Sequence, residues 1–377
     1  MEYRHFPGTD IDASVLGFGT MRLPCIEREI DKPNAIKLLH EAIDSGINYF
    51  DTAYPYHGGH SEEVVGEALE GGLRNKITLT TKLPMWKLEK AEDMEATLDE
   101  QLKKLKTDHV DFYLLHAMDA ERFELAKKLD AFGFLDKMVQ KGKIRYPGFS
   151  FHDNADVFKQ IATAYDWKLI QVQMNLLDEF NQATLAGVHE YAEKRGIGVV
   201  VMEPLRGGLL AKQPPEEIQK LYDAASVKRS HIDWAFRWLY NQSAFKTILS
   251  GMSSFEQLRD NVRIFADTKT NCMTDEEIDL ITNVRKAYEA RIKVGCTGCE
   301  YCQPCPCGVN IPGIFRGYNS AYTFGKASDF APEYKRRFIE KETDASKCAE
   351  CGACEAKCPQ HLSIRELLKQ IDAECRN

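Results

Sequence analysis

The chain has 377 residues, 44% of them hydrophobic and 28% charged, with a formal net charge of −8. That length exceeds what one core usually holds and predicts one large domain with an appendage. The acidic balance provides no phosphate-neutralising surface, which excludes nucleic acid as a natural partner.

The opening Met1-Glu-Tyr-Arg-His does not read as a secretory signal. The longest apolar run, around Val199 to Met202, is far too short to span a bilayer. We therefore expect a soluble, cytoplasmic protein with no membrane contact. Residues 2–14 alternate weakly around Pro7-Gly8 and a second turn near Asp10, which predicts a β-hairpin. Val15-Leu-Gly-Phe-Gly follows as the first main strand, its glycines allowing close backbone approach. Residues 33–45 place Ile36, Leu39 and Ile43 at helical spacing until Gly46. The run Ile47 to Phe50 ends in Asp51, and Pro55 with Gly58-Gly59 keeps Tyr54 and Tyr56 in a loop. Ser61 reads as the N-cap of the next helix. Ile77-Thr-Leu-Thr-Thr ends in Lys82. Residues 92–105 carry Met94, Leu98, Leu102 and Leu105 on one stripe of a surface helix, and Val110 to Leu115 ends in His116.

Beyond His116 the pattern predicts a helix at 122–140, a strand Ile144 to Phe149 and a helix at 154–164. A strand Leu169 to Val172, a helix at 183–195 and a strand Ile197 to Met202 come next. Pro214-Pro215 opens an insertion, Ser230 to Tyr240 reads as a buried helix, and Thr247 to Leu249 is the last strand, with helices at 254–265 and 274–293. Eight strand–helix units over roughly 250 residues predict an α/β fold, a (β/α)8 TIM barrel. Carboxyl ends of barrel strands converge on one face, so Asp51, Lys82, His116 and the Tyr56 phenol are expected to meet there.

Cysteine usage is lopsided: only Cys25 and Cys272 precede residue 296. The tail reads Cys296-x2-Cys299-x2-Cys302-x2-Cys305-Pro306, then Cys348-x2-Cys351-x2-Cys354-x3-Cys358-Pro359. The second run has the bacterial ferredoxin spacing, whereas a structural zinc site more often uses two separated Cys-x2-Cys pairs. In the first run the last gap is one residue short, and Cys307 is the substitute if Cys305 is free. In two-cluster ferredoxins the fourth cysteine of each run serves the other cluster. We therefore assign Cys296, Cys299, Cys302 and Cys358 to one cluster, and Cys348, Cys351, Cys354 and Cys305 to the second. Residues 291–377 thus resemble a small, α-helical, ferredoxin-like module with two [4Fe-4S] clusters, following a barrel at 1–290.

Asp51-Thr-Ala-x-x-Tyr56, Lys82 and His116 together resemble the catalytic tetrad of the aldo-keto reductases. The resemblance covers roughly residues 1–266, including Leu16-Gly-Phe-Gly-Thr and Ile248-Leu-Ser-Gly. It implies reduction of an aldehyde or ketone, or oxidation of the alcohol, with NAD(P)H. Tyr56 would be the acid, with Tyr54 a pocket wall or its replacement. Lys82 would favour the phenolate, Asp51 would hold Lys82, and His116 would polarise the carbonyl.

The resemblance also implies Ser150 and Gln171 at the nicotinamide carboxamide, and Met202 where an aromatic ring usually stacks. Gly251, Gln257 and Asn261 would line the far end of the cofactor. Phe151 departs from the asparagine of the family, and Gly251 to Gln257 contains no basic residue, so NADH stands open beside NADPH. Trp86, His57 and Met118 are pocket candidates, and Arg206-Gly-Gly could approach the pyrophosphate. Hydride carries two electrons, a [4Fe-4S] cluster passes one, and no flavin fingerprint is present. Two alternatives therefore stand beside the reductase reading: a cluster-driven one-electron enzyme, and a non-enzymatic redox sensor with a protein partner.

Overall fold

In the computed structural model, which describes residues 1–376, eight parallel strands close into a barrel among those residues. Two hairpins accompany them, β1 (Tyr3–His5) with β2 (Asp12–Ser14), and β4 (Cys25–Ile26) with β5 (Glu29–Ile30). The barrel strands are β3 (Leu16–Gly19), β6 (Tyr49–Asp51), β7 (Thr78–Leu83), β8 (Val110–Met118), β9 (Ile144–Phe151), β10 (Leu169–Gln173), β11 (Gly198–Met202) and β12 (Phe245–Ser250). They are joined in chain order, and β12 closes on β3 through Ile248 opposite Leu16. This is the TIM barrel predicted from the strand–helix rhythm.

The first hairpin plugs the amino-terminal end of the barrel. Phe6, wholly buried, stacks on Tyr49 at 6.1 Å and meets Phe112 at 5.1 Å. A Cβ on Gly198 would lie 2.3 Å from the Phe6 ring, so β11 needs glycine there to admit the plug. Burying such a phenyl ring stabilises by about 1.5–3 kcal/mol.

Several local expectations need correction. The helix expected at 122–140 is two, Ala120–Lys128 and Ala131–Gln140, parted at Asp130, which takes φ 54° and caps the second through Gly133 N. Ser61 is not a cap; its hydroxyl is buried between Thr20 Oγ1 (2.8 Å) and Thr52 Oγ1 (3.0 Å). The β4–β5 hairpin escaped detection because Glu27 and Arg28 turn it at φ 50° and 78°, where Asn-Gly would be the usual signal.

By contacts the chain divides into two compact units: Met1–Gly207 with Ile232–Thr274, and Gly208–His231 with the chain from Asp275 onward. In the second unit, Arg291 ion-pairs with Glu217 and donates to Gly325 O at 2.6 Å. That ties the insertion helix Glu216–Ala224 to the helices after 275. The core of this unit is aromatic and aliphatic, with Ile314, Phe315, Tyr318, Phe330, Tyr334 and Leu368 at its centre. No helix of the described residues is long and apolar enough to cross a membrane.

Candidate functional sites at the barrel mouth and in the cysteine-rich unit

Strand ends β6, β7 and β8 deliver Asp51, Lys82 and His116 to the carboxyl face of the barrel. Lys82 Nζ, wholly buried, donates to Asp51 Oδ1 (2.6 Å), Thr52 O (2.8 Å) and Tyr56 Oη (3.4 Å). Three acceptors match the three ammonium protons. Burial works against that charge, yet the Asp51 carboxylate and then the Tyr56 phenol outweigh it and raise the Lys82 pKa. Asp51 is itself pushed up by burial, with Lys82 and Gln171 opposing.

For Tyr56 burial outweighs the expected pull of Lys82 toward the phenolate. Burial raises its pKa, Lys82 pulls back, and Asp51 and Glu203 add to the rise. The phenol is therefore held protonated in the free protein, poised to donate. Tyr54 is not its substitute: its hydroxyl takes a hydrogen bond from Lys87 and lies 3.4 Å from Glu100.

His116 stands edge-on to Tyr56 (6.3 Å) and beside Trp86 (5.0 Å), which is 49% exposed. Burial lowers its pKa well below the usual value, and Lys82, His152 and Arg122 add to this, so the ring is neutral. Its buried Nδ1 has no hydrogen-bond partner. Met118 is wholly buried and is core, not pocket lining.

Residues that follow these side chains hold left-handed backbone: His57 (φ 53°), Ala117 (φ 54°) and Glu203 (φ 55°). Such conformations cost about 1–3 kcal/mol each and gather where a site demands them. Sequence reasoning also missed a contact. Cys25 Sγ lies 3.6 Å from His57 Nδ1, while His57 Nε2 meets Thr20 O at 3.2 Å.

The residues expected at a nicotinamide do meet a fit test. Gln171 Nε2 donates to Asp51 Oδ2 at 3.0 Å, and its Oε1 is a buried acceptor without a partner. Ser150 Oγ accepts from Ala117 N at 2.7 Å, so its own proton stays available. A carboxamide, which both donates and accepts, suits that pair. Phe151 packs inward on Phe149 and Phe158, and Met202 is half-buried at the end of β11. Toward β12, Asn261 Nδ2 is spent on Ser250 Oγ (2.9 Å), and Gln257 Oε1 accepts from Ser253 N (2.8 Å). Arg259 turns away to Glu41 at 2.7 Å.

In the second unit, Cys296, Cys299, Cys302 and Cys358 line one cavity, with apolar Phe315 and Ile364 and polar Thr297, Glu300 and Gln360 among its other walls. Among the described residues no three His, Cys, Asp or Glu side chains gather round a single-ion position; the thiols ring a space. Burial, with neighbouring thiols adding, pushes Cys302 up to about 11, so metal binding there must release protons.

The two cysteine runs have matching backbones. Gly298 N and Glu350 N each point at the sulfur two residues earlier, Cys296 Sγ and Cys348 Sγ, at 3.4 Å. Positive φ follows at Gly298 and Glu300 in one, and at Glu350 and Gly352 in the other. Past the fourth cysteines the match continues. Gly308 N bonds Cys305 O, and His361 N bonds Cys358 O, at 2.9 and 3.1 Å. Helices Ile311–Phe324 and Ile364–Cys375 then begin at equal distance from Cys305 and Cys358. Cys305, not Cys307, therefore occupies the place equivalent to Cys358.

Comparison with known proteins gives two family matches: "Aldo/keto reductase family" over residues 15–286, and "4Fe-4S dicluster domain" over residues 295–362. The chain is 28% identical to YqkF, an uncharacterized oxidoreductase of Bacillus subtilis (strain 168), over 76% of this chain and 97% of that protein. It is 28% identical to L-galactose dehydrogenase of Arabidopsis thaliana, over 74% and 92% of the two chains. The NADH-specific methylglyoxal reductase of Escherichia coli (strain K12) is 26% identical, over 74% and 97%. Among solved structures, the aldo-keto reductase AKR11C1 from Bacillus halodurans in its holo form superposes with a TM-score of 0.62. It is 26% identical, over 75% of this chain and 96% of that one.

Proposed function

The chain belongs to the aldo/keto reductase family, and on that premise we propose that it reduces a small aldehyde or ketone, or oxidises the alcohol, with a nicotinamide cofactor. One observation carries this reading: a buried ammonium shared between Asp51 and Tyr56, beside a buried, partnerless Gln171 oxygen. A nicotinamide bound there supplies the hydride. Tyr56 Oη gives the carbonyl oxygen its proton, and Lys82 stabilises the phenolate left behind. Neutral His116 donates a hydrogen bond to the same oxygen. Ser150, Gln171 and Met202 hold the nicotinamide, and Gly251, Gln257 and Asn261 shape the groove for its adenosine end.

NADH is the favoured donor. Gly251 to Gln257 offers no basic side chain for a 2′-phosphate, and the E. coli relative is NADH-specific by name. The division of labour falls at residue 290, with the reductase before it. From residue 291 onward, Cys296, Cys299, Cys302 and Cys358 hold one [4Fe-4S] cluster, and Cys348, Cys351, Cys354 and Cys305 a second. Clusters of this type carry one electron each.

A second reading, in which a redox partner protein feeds electrons through that pair, is favoured by one observation. Cys302 and Cys354, one from each set, pack against the same core of the second unit. Anaerobic titration with NADH and NADPH, read by tryptophan fluorescence, tests the choice. Binding of either, with hydride transfer abolished in Tyr56→Phe, supports the reductase. Failure of both to bind leaves the electron-fed reading.

A further inference from the structure

The helix Ser61–Ala68 opens with two wholly buried polar residues, Ser61 and Glu62. Ser61 lies in a row of hydroxyls whose direction is fixed at one end. Thr20 Oγ1 donates to Asp51 O at 3.0 Å, so it accepts from Ser61 Oγ, which in turn accepts from Thr52 Oγ1.

Glu62 is a buried carboxyl that no step of the proposed reaction uses. Its Oε1 accepts from Thr81 Oγ1 (2.6 Å) and from Gln101 Nε2 (2.7 Å). The same amide nitrogen donates to Lys82 O at 3.0 Å, and Gln101 Oε1 accepts from Tyr113 Oη at 2.7 Å. Thr81 and Gln101 are wholly buried as well, and every polar atom of the Gln101 amide is engaged. Glu62 Oε2, by contrast, is buried without a partner. Burying a carboxyl with one dry oxygen costs free energy, and packing alone gives nothing in return.

Side chains alternate along a strand, so Thr81 faces out to the helices where Lys82 faces the barrel interior. Of the contacts made by Lys82 Nζ, that with Tyr56 Oη is the longest, at 3.4 Å, beyond the usual range of a hydrogen bond. A small outward shift of the Lys82 main chain removes it first.

Building on the reductase reading, we propose that Glu62 is a positioning residue for Lys82: from outside the barrel, through Thr81 and Gln101, it fixes the strand end from which the ammonium reaches Tyr56. The hydroxyl row through Ser61 does the same for Asp51, so the first turn of one helix sets both members of the buried pair. Burial pushes the Glu62 carboxyl up while Thr81 and Gln101 pull it down, and Lys104 and Glu100 of the helix Glu92–Lys104 act in opposite senses. Both hydrogen bonds converge on Oε1, so a proton on Oε2 would leave the grip on Lys82 in place.

Anaerobic steady-state kinetics of the full-length protein with its clusters tests this, with para-nitrobenzaldehyde and glyceraldehyde as probes and NADH or NADPH as donor. Glu62→Ala is expected to lower kcat by about 10- to 100-fold with cofactor Kd unchanged. It should also raise the solvent deuterium isotope effect on kcat, because proton donation by Tyr56 becomes the slow step. Glu62→Gln, which keeps an acceptor oxygen for Thr81 and Gln101, should recover most of the turnover. Gln101→Met should reproduce the loss, and Glu62→Ala/Gln101→Met should lose little more than either alone, because the path is shared. Urea midpoints report the fold separately. A lowered midpoint in Glu62→Ala with unchanged kcat and isotope effect would overturn the assignment, as would losses that multiply in the double variant. Should Glu62→Ala not fold, a folded Gln101→Met protein with unaltered kcat overturns it equally. Failure of the unaltered protein to reduce either probe with either donor would remove the reductase reading itself, and this inference with it.

Discussion

Replacing Lys82 with methionine isolates the charge on which the proposed acid rests. Lys82 and Asp51 are 1% and 2% exposed, and the variant leaves the carboxylate with Gln171 as its remaining partner at 3.0 Å. Removing one member of a buried pair costs about 3–5 kcal/mol. An independent ceiling comes from proton uptake. A stranded carboxylate can always protonate, at about 1.4 kcal/mol per pH unit above its ordinary value near 3.9, so the loss near pH 7 is capped at about 4 kcal/mol. The sign follows from linkage. Stranded Asp51 has a folded pKa raised above its unfolded one, so the penalty is absent below the unfolded pKa and grows as pH rises. We expect Lys82→Met to lose about 3–4 kcal/mol near pH 7 and about 1.5 kcal/mol near pH 5. Asp51→Asn/Lys82→Met should regain part of the loss while remaining inactive. Anaerobic urea unfolding at the two pH values measures both quantities. A gap below about 0.5 kcal/mol at pH 7, or one that does not shrink toward pH 5, would mean that the pair is not ionic. Lys82 would then not be the charge that stabilises a Tyr56 phenolate.

Tyr56→Phe should lower turnover by about 10²- to 10⁴-fold with cofactor Kd unchanged, whereas Tyr54→Phe, whose hydroxyl faces Lys87, should change it only a few-fold; steady-state kinetics separates the two. In Cys305→Ala the iron content should fall by about half, while Cys307→Ala keeps it, as read by metal analysis and low-temperature EPR; the reverse outcome would make Cys307 the ligand. The lowered pKa of buried His116 has a signature in stability. With its folded pKa below the unfolded one, stability is complete above the unfolded value near 6.5 and drains as pH falls, by up to about 1.4 kcal/mol per unit. His116→Leu should flatten that stretch of the urea-midpoint profile, and an unchanged slope would refute the assignment.

The barrel and the acid–base group were legible in the sequence because each signal is local. A β-branched run ending in one polar residue fixes both a strand and the face on which Asp51, Lys82 or His116 emerges. The alternation around Pro7-Gly8 gave the plug hairpin for the same reason. What sequence could not show depends on neighbours distant in the chain. The phenol's raised pKa arises from burial, which residue spacing does not report. Gln171 reads as a cofactor ligand, yet half of its amide is engaged by an acid 120 positions away. The β4–β5 hairpin turns on Glu27 and Arg28, residues with no turn chemistry of their own. The equivalence of Cys305 and Cys358 was hidden by the shorter gap before Cys305, and emerges only from the turns and helix starts that follow both.

The crossed cysteine sets also bear on how the second unit acquires its shape. On the proposed ligand sets, with Cys358 completing the cage of Cys296, Cys299 and Cys302, and Cys305 that of Cys348, Cys351 and Cys354, each inorganic core would be a staple closing a long loop of chain. Closing long loops removes conformational freedom from the unfolded chain, the same entropic lever a disulfide uses, here available where thiols stay reduced. The staples interlock, since neither run completes a cage alone. On the proposed sets iron delivery and chain folding are coupled, and oxidative loss of either core is expected to loosen the packing of the helices Ile311–Phe324 and Ile364–Cys375 in their shared core.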